Sequence, residues 1–389
     1  MTLPFDLVSA DSHVVEPPDL WTKRIDKPYR DICMRVESRA DSDYLVCPAR
    51  EGMEEMPLGR MATKRKYDNP DAVDFAVEAG RWSGVPEPSY DPVERIKEMD
   101  REGIEAELMY TSMGLTMYQF KDRDFRYASF RAFNDWMAEF CSHAPKRLFG
   151  IAMIPTDDIH RDVAELERCA KMGLRGAMLS ISQESGETYS SGRFDRLLGA
   201  FNDMEIPISL HVAASETSFT VTRNKFVDFT AGWTPTMYTV LEMIFAGVFD
   251  RFPKLKVISV ENDASWPLAI LERADDRWKH DQGWAGVGGA AGITSGRLPS
   301  EIFRQHVAAS FMRDRTAILC RDIIGKGNIM WGSDYPHFDG AWPNQKAQLE
   351  RQFAGVPLED QIRIGRTNCI DFYKLPIDTP ALAREAVPA

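Results

Sequence analysis

The sequence has no stretch of about 18 consecutive apolar residues, so a helix spanning a bilayer is not expected. Its opening residues, MTLPFDLVSADSH, have neither a basic start nor a long apolar run, so no secretory leader is expected. Positive charge is in deficit: 47 Lys and Arg against 59 Asp and Glu leave a formal charge of −12. A general nucleic-acid binder needs a basic face, and so does a protein that lies on anionic lipid, so neither nucleic acid nor membrane is expected as a partner. Six cysteines (Cys33, Cys47, Cys141, Cys169, Cys320 and Cys369) show no Cys-x-x-Cys spacing. They read as reduced thiols of a cytoplasmic protein, not as a zinc cluster or a disulfide frame. Short repeats and low-complexity blocks are also missing. Only seven histidines occur in 389 residues, so the place of each is informative.

What is present is alternation. Short apolar runs and longer amphipathic runs follow one another, which is the pattern of βα units around a parallel sheet. Strands are expected at about 7–13, 107–111, 148–154, 176–180, 207–212, 256–261, 307–311 and 328–333. Helices are expected between them. Asp91-Pro92-Val93-Glu94 has a capping acid, a first-turn proline and a glutamate three residues after the cap, and predicts a helix ending near Gly103. Further helices are expected at about 124–143, 159–172, 194–204, 235–249, 267–280 and 358–373. Eight strands, most followed by a helix, favour an α/β protein of the closed (β/α)₈ TIM-barrel type in one domain, residues 1–375. The competing doubly wound sheet would usually carry a glycine-rich turn after its first strand, where this chain has Asp11-Ser12-His13. A long irregular insertion is expected at about 15–90, a loop over the barrel end at about 283–296, and a loose tail at 376–389.

The chemistry-bearing residues fall at strand ends. Side chains alternate along a strand, so Asp11 and His13 point to the same side. His211 ends the fifth apolar run, and Asp334 ends the eighth. Each has a bland explanation when taken alone: a turn-capping aspartate, a hydrogen-bonded core histidine. Barrel closure, however, brings the first and last strands side by side and converges all these ends on one point. Asp11, His13, His211 and Asp334 then form a mixed nitrogen and oxygen site for one divalent cation, which would lower the pKa of a bound water or polarise a substrate oxygen.

With these residues in view, the chain resembles the amidohydrolase superfamily, in the branch of the aminocarboxymuconate-semialdehyde decarboxylase-like enzymes. The most specific pieces are Ala10-Asp11-Ser12-His13-Val14, Val248-Phe249-Asp250-Arg251-Phe252-Pro253-Lys254-Leu255 and Gly332-Ser333-Asp334-Tyr335-Pro336, and the likeness runs on to Gly365-Arg366-Thr367-Asn368. The resemblance implies a (β/α)₈ barrel with one divalent metal, a homodimer, and either decarboxylation of aromatic or muconic acids or hydrolysis of C–N, C–O or C–C bonds. It assigns Asp11 and His13 to the first-strand ligand positions, His211 to the fifth-strand ligand and Asp334 to the last-strand carboxylate. Two departures matter. The family often opens with His-x-His, and the added carboxylate here allows Mn²⁺ or Mg²⁺ beside Zn²⁺, which is expected first. The family also shows a His-Gly-Gly segment after the sixth strand, where this chain places Glu261.

The leading expectation is a metal-dependent hydrolase of a small organic substrate, in which Asp334 shuttles the proton of an activated water and Glu261 or His337 assists. A non-oxidative carboxy-lyase is the alternative, and a barrel that only binds a ligand is the third. His143, His160, His280 and His306 are given no role. Arg39, Arg50, Lys64, Arg65 and Arg81 in the insertion could pair with a substrate carboxylate, although solvated surface cations are the commoner case. Trp82, Trp233 and Trp342 could line a pocket or simply pack in loops, and Trp284 lies in the 283–296 loop that could cover the mouth.

Overall fold

The computed structural model describes residues 3–52, 54–58, 80–217, 224–280, 292–337, 340 and 342–378. Eight parallel strands follow in the order β1 (Leu7–His13), β5 (Ile104–Tyr110), β6 (Leu148–Met153), β7 (Gly176–Met178), β8 (Ile208–His211), β9 (Val257–Val260), β10 (Val307–Phe311) and β11 (Ile329–Trp331). Helices between them cover the outside, as in a (β/α)₈ barrel. The sheet closes between β11 and β1. The Ser333 and Asp334 N–H groups both donate to the Asp11 carbonyl at 2.9 Å, and His13 N–H donates to the Tyr335 carbonyl at 2.7 Å. This closure excludes the doubly wound sheet. Among the described residues no helix is long and apolar enough to cross a membrane.

The local signals act as the sequence implies. Asp91 Oδ1 accepts from Val93 N at 2.8 Å and Glu94 N at 3.1 Å, Pro92 fills the first turn, and the helix Pro92–Glu102 ends at Gly103 in the left-handed region (φ 69°). A side-chain cap of this kind contributes about 1 kcal/mol. Helix Arg123–Ser142 buries Phe133, Trp136, Met137 and Phe140 against the barrel. One expected helix is broken. The run at 235–249 forms Thr234–Phe245 and then Val248–Arg251, because Gly247 adopts φ 68° and turns the chain.

The insertion departs most from expectation. It is not irregular throughout, because β2 (Arg35–Ser38), β3 (Asp43–Val46) and β4 (Glu55–Pro57) pair as a small antiparallel sheet. Three arginines singled out there are engaged within it. Arg39 pairs with Glu55, Arg81 with Asp43 at 3.2 Å, and Arg50 is buried. Lys64, Arg65, most of the expected 283–296 loop with Trp284, and most of the 376–389 tail lie outside the described residues.

Candidate metal centre

The site lies at the C-terminal ends of the strands. β1 and β5 slip register between Ser9 and Ser12, so β1 carries one extra residue through Ala10 and Asp11. Such a bulge re-aims side chains beside a functional site. Asp11 and His13 both end up buried and facing inward, with Asp11 Oδ1 3.5 Å from His13 Nε2. His211 comes from the end of β8, and its Nε2 lies 3.1 Å from His13 Nε2 and 3.7 Å from Asp11 Oδ1. Glu261 follows β9, with Oε2 3.5 Å from His211 Nε2. Asp334 follows β11, with Oδ1 3.4 Å from His13 Nε2. Glu261 (φ 56°) and Asp334 (φ 53°) both sit in the left-handed region. For residues other than glycine this conformation costs of order 1–3 kcal/mol, and it clusters at functional sites.

The donors fit a cation. His13 Nδ1 donates to the Thr111 carbonyl at 2.7 Å, and His211 Nδ1 donates to the Val212 carbonyl at 2.8 Å. A carbonyl only accepts, so each Nδ1 carries a proton, and with both rings neutral each Nε2 turns a lone pair toward the other. Two lone pairs this close repel unless a positive charge faces them both. Asp11 Oδ1 is buried and has no hydrogen-bond partner among the described residues. Metal bonds of about 2.1 Å separate neighbouring ligands by roughly 3.0–3.4 Å, close to the separations seen here. Asp11, His13, His211 and Glu261 offer ligand atoms that all lie within 4.8 Å of one another, and so do His13, Glu261, Asp334 and His337.

Electrostatics follow from burial and neighbours. Burial, then the charge of His337, pushes the His13 pKa down to about 3. Burial also opposes charge on Asp11, yet the two histidines beside it, His13 and His211, outweigh it and hold the carboxyl below its usual range. Burial pulls His211 down, but Asp11 and Glu261 overcome it and leave its pKa raised. The centre therefore draws positive charge, a proton or a cation, to His211 and Asp11 while His13 stays neutral.

His337 joins the cluster by a second route. Its Nδ1 is 2.8 Å from Asp334 Oδ1, and its Nε2 is 2.8 Å from Ser112 Oγ. The Ser112 hydroxyl donates its one proton to the Val14 carbonyl at 2.6 Å, so it accepts from His337 Nε2–H. One further proton is then held between His337 Nδ1 and Asp334.

A cavity of about 460 Å³ opens beside Glu261, lined also by Trp233, Asn262, Trp266, Met312 and Arg313. Trp82, by contrast, packs on Tyr90, and Trp342 donates to Glu98 at 2.6 Å. A second cavity, about 530 Å³, lies between the 181–189 loop and helix Thr234–Phe245 and touches none of the cluster residues. His306 is buried against Phe249, and His143, His160 and His280 are exposed, so none of these four reaches the site.

All six residues singled out in the sequence, Asp11, His13, His211, Glu261, Asp334 and His337, meet here. Their supports were missed. Arg95 Nε donates to Glu107 at 2.6 Å, Arg95 Nη1 holds the His13 carbonyl at 2.9 Å, and Ser12 ties Glu107 to Ser333. The available signal was polarity inside apolar strands, at Ser9, Ser12, Glu107 and Ser333.

A family model described as amidohydrolase matches residues 81–375. The chain is 23% identical over 279 residues to 2-amino-3-carboxymuconate-6-semialdehyde decarboxylase of Dictyostelium discoideum, covering 70% of this chain and 74% of that protein. It is 25% identical over 305 residues to gamma-resorcylate decarboxylase of Rhodococcus jostii, covering 72% and 87%. In fold it is similar to 5-carboxyvanillate decarboxylase of Novosphingobium aromaticivorans, solved with manganese and 4-hydroxy-3-methoxy-5-nitrobenzoic acid. The TM-score is 0.68 at 16% identity, covering 96% of this chain and 97% of that one.

Proposed function

The chain belongs to the amidohydrolase superfamily, in the aminocarboxymuconate-semialdehyde decarboxylase-like branch, and on that premise we propose that it is a metal-dependent carboxy-lyase of an aromatic or muconic-type acid. The observation that carries this reading is the 2.8 Å contact between His337 Nδ1 and Asp334 Oδ1, at the edge of the ligand cluster. Decarboxylation breaks a C–C bond, leaves the electron pair on carbon and releases CO₂, and the carbon must then receive a proton. The Asp334–His337 pair is placed to deliver one. The curated relatives reported above are named as decarboxylases, which favours this reading over the hydrolase that the sequence placed first.

A divalent ion held by Asp11, His13, His211 and Asp334 would supply Lewis-acid polarisation of the substrate's oxygens. Three carboxylates gather in the centre, and their charge is matched by a divalent ion together with one proton. This carboxylate-rich donor set, with manganese in a related structure, favours Mn²⁺ over the Zn²⁺ expected first. Glu261 faces both His211 and the cavity, and orients the substrate between them. Trp233 and Trp266 give the cavity aromatic walls suited to a planar ring. The same reading carries a homodimer as the assembly and the cytoplasm as the compartment.

The test is a panel of hydroxybenzoic, carboxyvanillic and muconic acids given to Mn²⁺-loaded protein in D₂O. CO₂ release with one deuterium at the vacated carbon supports the carboxy-lyase. Incorporation of ¹⁸O from water into an ester, amide or diketone product, without CO₂ release, returns the hydrolase. Absence of stoichiometric metal under all loading conditions returns the ligand-binding barrel.

A further inference from the structure

Three residues beyond His13 stands a carboxylate that belongs to neither ligand set. Glu16 is fully buried. It accepts from the Thr111 hydroxyl, from Met113 N–H at 3.0 Å and from Gly114 N–H at 3.3 Å. Thr111 Oγ1 in turn accepts from Gly114 N–H at 2.8 Å. The turn leaves no room for a side chain at Gly114, where a Cβ would stand 2.2 Å from Thr111 Oγ1 and 2.8 Å from Met153 Sδ. The 111–114 turn is thus wrapped around one carboxylate.

That turn presents two groups to the metal centre. The Thr111 carbonyl fixes His13 Nδ1, and the Ser112 hydroxyl accepts from His337 Nε2. We infer that Glu16 is a positioning residue: through this turn it sets the ring orientation of His13 and of His337 together, coupling the ligand cluster to the proton-bearing pair. A carboxylate suits the task because it accepts several hydrogen bonds at once, where an apolar residue would leave the Met113 N–H and the Thr111 hydroxyl unsatisfied. Partners of this kind, standing behind the ligands, typically change metal affinity by 10–100-fold when altered.

The inference rests on the metal-centre reading in one of its two readouts only. Full-length protein labelled with ¹⁵N-histidine is prepared metal-free, with resonances assigned by single histidine substitutions. Glu16→Gln and Thr111→Val each remove part of the clamp while keeping side-chain size. Ile324→Ala, a cavity in a helix that contributes nothing to the cluster, serves as a destabilised control. The expected result is a changed Nδ1 and Nε2 pattern for His13 and His337 in both clamp variants but not in the control. Mn²⁺ affinity is expected to fall about 10–100-fold in the clamp variants. Parent-like nitrogen resonances in both clamp variants, with only the melting temperature moved, overturn the assignment. Should the parent take up no Mn²⁺, the metal reading falls, and the nitrogen resonances alone decide the role of Glu16.

Discussion

His13 and His211 are held by one device: each gives its Nδ1 proton to a backbone carbonyl and turns Nε2 inward. A neutral ring so fixed offers its Nε2 lone pair to a cation. His337 is held differently, between a hydroxyl that must accept and a carboxylate. His337→Gln can keep the contact to Ser112 but cannot lend a transferable proton. It is expected to lower kcat by about 100-fold or more while bound Mn²⁺ stays near parent level, read by steady-state kinetics with metal analysis. An unchanged kcat would remove His337 from the proton path. Asp162 offers a test away from the centre. It is 1% exposed, and Oδ2 has no hydrogen-bond partner among the described residues. Burial, then the charges of Asp157 and Asp158, raises its pKa to about 8. The folded state therefore keeps a proton that the unfolded chain loses near pH 4, so stability falls as pH rises from about 4 to 8 and levels off above. Asp162→Asn is expected to gain on the parent across that window, by up to about 1.4 kcal/mol for each pH unit between 4 and 8. Unfolding at the two pH values measures it, and a pH-independent difference would refute it.

At the scale of elements, the seam between β1 and β11 sets the distance between Asp11 and Asp334. Three serine hydroxyls, of Ser9, Ser12 and Ser333, fill that seam, and the Asp11 carbonyl takes two N–H groups from the last strand's end. Gly332 is needed for the close approach, because a Cβ there would lie 2.6 Å from Asp11 Cβ. Gly332→Ala must push the two strands apart. It is expected to cost about 1–3 kcal/mol of stability and to weaken Mn²⁺ binding more than an equally destabilising change outside the seam. Denaturant unfolding and metal titration read the two effects. Equal affinity in the two variants would show that the seam does not set the site.

Across the whole molecule, the ligands join β1, β8 and β11, which are distant in sequence and gathered by closure. An ion bound only by the folded barrel stabilises it in proportion to its affinity, by about 2.7 kcal/mol at 100 times Kd. Loading with Mn²⁺ is expected to raise the melting temperature by a few degrees, and a chelator to return it, with loss of both effects in His211→Ala. A melting temperature indifferent to metal would contradict a shared cation.

The barrel was legible in the sequence because hydrophobic period and helix caps are local. Asp91 and Pro92 announce a helix to the residue, and Val307–Phe311 reads as a strand within its observed bounds. Asp11, His13, His211 and Asp334 were legible because polar side chains at the ends of buried strands are costly without a partner. The small sheet of the insertion was hidden, since strands of three or four residues carry too little pattern. Glu16, Arg95 and Gly332 were hidden for another reason. Each acts on a neighbour that only folding supplies: the 111–114 turn, the His13 carbonyl and Asp11. Sequence alone determined which residues can bind a cation, because that is a property of side chains. Tertiary structure decided that they meet at one point, and with what support, because distance between strand ends is a property of closure.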